Sequence, residues 1–352
     1  MCSVVAIAAA CALLLKKRLF GAITTWDIGN PILYLTAAQH ESLFMTSDPA
    51  HGPLPLLLVT LYSLSWTVRD VVIRYALVIV LNFLTIYTGF GLFIGLITPP
   101  LLVLDYRANL SGNVKGRLYF VSAFVISCAS LASFFYNYKL QPAVNCFGLQ
   151  HQSPIRYFWY VGLMYANLWI KGIAVIPRLI GSLVVLWLLW TLVATILKMF
   201  RSETESWSQN AVAATLIGYA LLFCISTAIG RICLGLGFAQ SSRYMNYVAL
   251  GIFGAYLHLL KVRTPVIRTV LLTVVVPALL ATVPIRAEDR GLMRSPSDTK
   301  RNWRTCYLAG GGIPDCDRRA GYKIDPEPEP VLERKLHFLR QSRDNLFADS
   351  DR

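Results

Sequence analysis

Acids and imidazoles crowd into one short stretch of this chain. Between Trp26 and Pro53 lie Asp27, Gln39, His40, Glu41, Asp48 and His51. A carboxylate near an imidazole can supply the base and the acid of a group transfer, so Asp27 or Glu41 would deprotonate an acceptor hydroxyl while His51 orients it. Solvation of an exposed loop accounts for the same residues without chemistry. A second stretch, 230–244, places Arg231 and Arg243 around Gly235 and Gly237. Two guanidinium forks on one face suit a phosphate or a carboxylate, with Tyr244 at head-group depth; contact with ordinary lipid head groups explains them equally. Lys171 and Arg178 form a third basic group, bracketing Pro177. Broken helices often line binding sites, and a lysine snorkelling from a helix end is the plainer account. The Gly-x-Gly at 235–237 follows an apolar run rather than a strand, so it is no dinucleotide fingerprint. With no Cys-x-x-Cys and no His/Cys cluster in the sequence, neither a metal site nor a cofactor is expected.

The elements that position these groups are apolar. Of 352 residues, 55% are hydrophobic and 15% charged, with a mean hydropathy of +0.53, which excludes an ordinary soluble fold. Residues 1–284 hold 26 charged side chains, only seven of them acidic, and residues 285–352 hold the other 26. The expected fold is therefore all-α: a polytopic integral membrane helical bundle over 1–284 with a small soluble tail over 285–352. The net charge of +14 comes mainly from basic residues scattered singly between apolar runs. That is how membrane-protein loops look, so the expected partners are membrane lipids and not nucleic acid.

A helix needs about 20 apolar residues to cross a bilayer. Runs 118–135, 179–200, 211–229, 244–260 and 266–283 approach or meet this. Shorter or interrupted runs lie at 4–15, 54–66, 75–104 and 158–176, for a total of about eight to ten membrane segments. Glycines at 89, 91 and 95 divide the long run 75–104, which reads either as two short helices joined at Gly89–Gly91 or as one tilted helix ending at Pro99–Pro100. Run 4–15 lacks a preceding positive charge and a cleavage site, so it fails as a signal peptide and reads as a first helix or as a start part-way through a longer architecture. If 106–117, 198–207 and 261–263 are cytoplasmic, the tail faces outward and 157–177 must be re-entrant; if that segment spans fully, every later loop changes sides.

Cys2, Cys11, Cys128, Cys224 and Cys233 lie in or beside apolar runs and read as buried thiols. Cys306 and Cys316 instead flank a Gly310–Gly312 turn in the polar tail. They are either a disulfide, which needs an oxidising compartment, or two unrelated thiols, and Cys146 is a third candidate. Residues 326–330 read as a stiff extended segment. Leu332, Leu336, Leu339 and Phe347 follow at near-helical spacing, the pattern of a short amphipathic helix packed on the membrane part or on a protein partner, or else of a solvated extension.

Two resemblances attach to these motifs. Residues 230–244, with Trp303, Cys306, Cys316 and the 335–348 stretch, resemble a group of uncharacterised bacterial polytopic membrane proteins. Those share a Gly-Arg…Ser-Arg-Tyr loop and a cysteine-containing tail; the likeness runs from about Gln39 onward, and members are longer at the amino end. More faintly, His51-Gly-Pro-Leu and Arg243-Tyr244 are similar to polyprenyl-phosphate-sugar-dependent, GT-C type membrane glycosyltransferases, though that family's acidic pair is missing around Asp27. That resemblance implies a bacterial inner-membrane enzyme using a lipid-linked sugar at the outer face. Asp27 or Glu41 would be the base, with Arg231, Arg243, Tyr244 and Lys171 on the lipid-phosphate side. The alternatives are a transporter or anionic-lipid-binding protein, and a non-catalytic subunit docking a partner through its tail.

Overall fold

The computed structural model describes residues 2–42, 49–110, 114–136, 153–201, 206–284, 287–321, 323–324, 329–343 and 347. Asp48, Cys146 and Pro326 lie outside them. The described residues are mostly helical, with no strand among them, and the chain folds as two compact units, Met1–Ile285 and Arg286–Arg352.

The first unit contains eleven helices among its described residues: α1 (Cys2–Phe20), α2 (Gly29–Leu35), α3 (Pro53–Ser65), α4 (Val71–Ile86), α5 (Leu92–Asp105), α6 (Val114–Phe135), α7 (Ile155–Ala166), α8 (Val175–Phe200), α9 (Trp207–Arg231), α10 (Met245–Leu259) and α11 (Pro265–Leu280). Its outward faces are apolar: Val125 on α6, Leu183 and Trp190 on α8, and Val266 and Val274 on α11 are each more than half exposed. Such a surface suits lipid, not water. Three stretches are long and apolar enough to cross a membrane, Val114–Phe135, Val175–Phe200 and Trp207–Leu234. Pro53–Ser65, Val71–Ile86 and Pro265–Leu280 are apolar but shorter. By length, then, the described residues fall short of the eight to ten segments expected. Helices of 13 to 16 residues cover about 20–24 Å of a hydrocarbon core about 30 Å thick.

The run 75–104 forms two helices, α4 and α5, reversing at Gly89–Gly91. A Cβ on Gly91 would sit 1.6 Å from the Thr85 carbonyl oxygen, so the reversal demands glycine. The single-helix alternative is excluded, and α5 continues through Pro99 and Pro100 to Asp105. At the centre lies α10, every residue of which except His258 is buried. It runs antiparallel to α9, Gly251 fitting against Ala220 and Gly254 against Leu216 and Ile217. Small residues permit this close approach, as in other membrane helix pairs.

Helix α7, only 12 residues long, returns to the end of the bundle from which it starts. Near its beginning Tyr157 shares a cavity wall with Ala228 and Ile229 at the end of α9. Just after its end, Asn167 donates from Nδ2 to the Gln240 carbonyl at 2.9 Å, in the loop that leaves α9. It packs on α8 through Gly162 and Gly181, where a Cβ on Gly181 would approach the Gly162 carbonyl oxygen to 1.8 Å.

In the second unit, α12 (Ala287–Leu308), α13 (Ile313–Ala320) and α14 (Glu329–Ser342) enclose a small core of Trp303, Ile313, Leu332 and Leu336. Cys306 and Cys316 are joined by a disulfide with Cα atoms 5.6 Å apart. Gly311 lies against it, since a Cβ there would meet both sulfurs at 2.8 Å. Asp317 ties the unit together, accepting from Trp303 Nε1 at 2.8 Å and from the Ile324 amide at 3.1 Å. Two expectations change. Pro330 lies inside α14 rather than in an extended segment, because proline is tolerated in a first helical turn. Cys233 is disulfide-bonded rather than a free buried thiol.

Gly181→Ala is expected to destabilise the first unit by about 1–3 kcal/mol, because backbone rather than a flexible side chain must yield. Gly237→Ala, whose Cβ would meet nothing within 4 Å, is expected to change stability by less than about 0.5 kcal/mol. Thermal unfolding of both variants in detergent checks the pair, and equal midpoints would contradict the close contact.

Candidate functional site

The loop between α9 and α10 is made of short helical turns hinged at Gly235, whose φ of +94° favours glycine. It ends in Ser241-Ser242-Arg243, and the chain after α2 delivers Glu41 to this point. Oε2 of Glu41 accepts from Ser242 Oγ at 2.8 Å, Ser241 Oγ at 3.0 Å and the Arg243 amide at 3.2 Å. Its Oε1 stands 3.3 Å from Arg243 Nη2. Burial alone would raise the Glu41 pKa, but the Ser242 hydrogen bond, the Arg243 charge and the Ser241 and backbone donors outweigh it. The carboxyl is held below its ordinary 4.5. Such a group is a poor base and a good anchor. Arg243 is half exposed and its charge is already matched.

Arg231 differs. It closes α9, is half-buried, and stacks its guanidinium 5.9 Å over the Tyr244 ring. Among the described residues no carboxylate forms an ion pair with it. Tyr244 is itself buried, and the fully buried Tyr160 on α7 lies beside it, its hydroxyl interacting with Tyr244 and with the charges of Arg231 and Arg243. A cation that no carboxylate among the described residues matches, with a buried tyrosine hydroxyl nearby, leaves room for an anionic oxygen ligand.

Lys171 belongs to the same end. It precedes Gly172, whose amide donates to Gln240 Oε1 at 2.6 Å, while Gln240 Nε2 donates to the Ile170 carbonyl at 3.0 Å. Gln240 thus clamps the α7–α8 connection onto the arginine loop, a link that no motif announces. His51 is here too: its carbonyl accepts from the Tyr247 hydroxyl at 3.2 Å, and its ring lies over Gly89.

Asp27 is elsewhere. Its Oδ1 accepts from the Tyr256 hydroxyl at 2.7 Å, and Oδ2 takes Lys16 Nζ at 2.6 Å together with the amide and hydroxyl of Thr24 at 2.5 and 3.0 Å. Lys16 also donates to the Ala22 carbonyl at 2.5 Å. Both side chains are almost wholly buried. Tyr256 stands twelve residues along α10 from Tyr244, about 18 Å at 1.5 Å per residue. The acidic stretch from Trp26 to Pro53 therefore runs from one end of the bundle to the other, and Asp27 and Arg243 do not share a cavity.

Comparison with known proteins adds no assignment: no family model, curated protein or solved structure matches the chain.

Two outcomes follow from these geometries. Asp27→Ala strands a buried lysine charge and is expected to cost about 3–5 kcal/mol, most of it recovered in a Lys16→Met, Asp27→Leu double variant; denaturation in detergent measures both. Because the folded-state pKa of Glu41 is depressed, its stabilisation is present above the unfolded value and lost as pH falls below 4.5. Glu41→Gln is expected to lower the thermal midpoint at neutral pH and to flatten the acid limb of the stability profile. Superimposable acid limbs would contradict the assignment.

Proposed function

We propose that the chain is a multi-span membrane protein that binds the phosphate of a lipid at the face bearing Arg231, Arg243 and Tyr244. The observation that carries this is Arg231: a half-buried guanidinium with no carboxylate partner among the described residues, near the buried Tyr160 hydroxyl. Planar donor forks take phosphate oxygens through parallel hydrogen bonds. The shorter apolar helices α3, α4 and α11 join the three longer ones in the bundle, with the bilayer thinned around them.

The sidedness proposed is a bacterial inner membrane with the arginine face and the tail outward. Cys233 at that face and the Cys306–Cys316 pair are disulfide-bonded, which suits an oxidising compartment. Lys16, Lys17, Arg18, Lys198, Lys261 and Arg263 gather at the other end, where Gln209 bonds Leu19 and Thr195 meets His258. A cytoplasmic side should hold such residues.

A second reading, transfer of a sugar from the lipid phosphate, is favoured by Glu41 and His51 standing at the arginine end. In that step an acceptor oxygen bonds to the anomeric carbon and gives its proton to a base, while the carbon–oxygen bond to phosphate breaks and the lipid phosphate leaves onto Arg231. Asp27, buried and fully partnered, has no part in it. Glu41 would serve only after shedding its serine and arginine donors.

Titration of the protein in lipid nanodiscs with decyl phosphate tests the main reading. Arg231→Gln is expected to weaken binding about tenfold to a hundredfold, and Arg268→Gln, in the α11 segment at the other end, to leave it unchanged. Equal affinity of Arg231→Gln and the parent protein would refute the reading.

A further inference from the structure

Two cavities of about 280 and 490 Å³ lie end to end along α9 and share Leu189, Leu221 and Ile225 in their walls. The smaller reaches Ala228 and Ile229, in the turn that ends at Arg231. The larger continues past Gly218 to Ala214, with α5 as its far wall. From Ala214 to Ile229 is about 22 Å of helix, most of a hydrocarbon core about 30 Å thick. Leu189 is 37% exposed and Ile225 44%, so the furrow opens sideways toward the acyl region. Gly218 is part of its wall, and a Cβ there would find its nearest neighbours, Ile97 and Leu192, at 3.7 and 3.9 Å.

We propose that this furrow holds the hydrocarbon chain of the lipid whose phosphate Arg231 binds, and that the ligand is a single-chain lipid phosphate. The inference rests on the phosphate-binding reading above and adds the ligand class. The phosphate reading sets the direction: Ile229, in the wall of the smaller cavity, stands two residues before Arg231. Volume sets the chain number. The smaller cavity, about 280 Å³, holds roughly nine groups of 30 Å³ each. Over the roughly 12 Å from Leu221 to Ile229, that is one chain in single file within the cavity.

The experiment compares butyl phosphate, decyl phosphate and didecanoyl phosphatidic acid binding to the protein in nanodiscs. Each methylene buried in the furrow raises affinity about fourfold, so decyl phosphate is expected to bind far better than butyl phosphate and better than the two-chain lipid. Gly218→Phe fills the furrow from inside and Ile225→Trp blocks it from the mouth. Both are expected to erase the chain-length dependence while leaving butyl phosphate binding intact, and Ile225→Trp, at a position facing outward, covers the case in which Gly218→Phe fails to fold. If chain-length dependence survives both variants while Arg231→Gln still weakens binding, the furrow assignment falls and the phosphate reading stands. If Arg231→Gln binds every probe normally, the phosphate reading itself falls. Tighter binding of phosphatidic acid, blocked by the same variants, would overturn the single chain. Loss of a dimer in both variants without any chain-length effect would assign the furrow to a second copy of the protein and overturn the inference.

Discussion

The burial of α10 is the constraint on which the rest of the first unit depends. Its main-chain groups are paired within the helix, so it can sit where no water reaches, and all of its residues but His258 do so. Side chains with strong polar demands then have to be met near its ends. At one end Arg243 and Ser242, just before the helix, hold Glu41. Toward the other, Tyr256 reaches Asp27, which neutralises Lys16, and Lys261, just past the helix, bonds Asn210 at the start of α9. The length of α10 therefore fixes the separation of the two polar clusters.

Those clusters have opposite character. Around Asp27 every charge is answered: a lysine, a tyrosine hydroxyl and two threonine donors surround one carboxylate in a dry setting. Such a pair is worth keeping intact because losing one partner is far more costly than losing both. Around Arg231 no carboxylate among the described residues matches the charge. The aromatic ring of Tyr244 supports the guanidinium but supplies no negative charge, and the nearest matched cation, Arg243, has already taken the available carboxylate. An apolar furrow reaches the last turn of α9, close to this cation, and the lipid reading rests on that nearness. Of the buried amides, Asn82 accepts from the Thr98 hydroxyl and Asn167 donates to the Gln240 carbonyl.

Much of the helix framework was legible in the sequence because composition dictates it. The runs that became α6, α8 and α9 have no alternative in an apolar medium, and Gly89–Gly91 marked the α4–α5 reversal because only glycine fits there. The arginine loop was legible too, through two guanidinium groups joined by a glycine hinge. What escaped was pairing across distance. Asp27 looked like a partner for Glu41 and His51 because it is near them in sequence, but the stretch between them climbs the length of the bundle. Its true partner, Lys16, lies across the turn at Gly21, whose φ is +81°. The role of Gln240 was equally hidden, since a clamp made of one glutamine has no sequence signature. In the tail, the helix Glu329–Ser342 followed from leucine spacing, whereas Gly291 and Pro296 inside the charge-rich α12 argue against a continuous helix of 22 residues.

The most direct test of the account is an experimental density map of the protein in nanodiscs supplied with decyl phosphate. The expected result is a phosphate within hydrogen-bond distance of the Arg231 guanidinium and the Tyr160 hydroxyl, its chain descending beside Gly218. A vacant Arg231, with the phosphate bound instead at the Lys16 and Arg268 end, would contradict it.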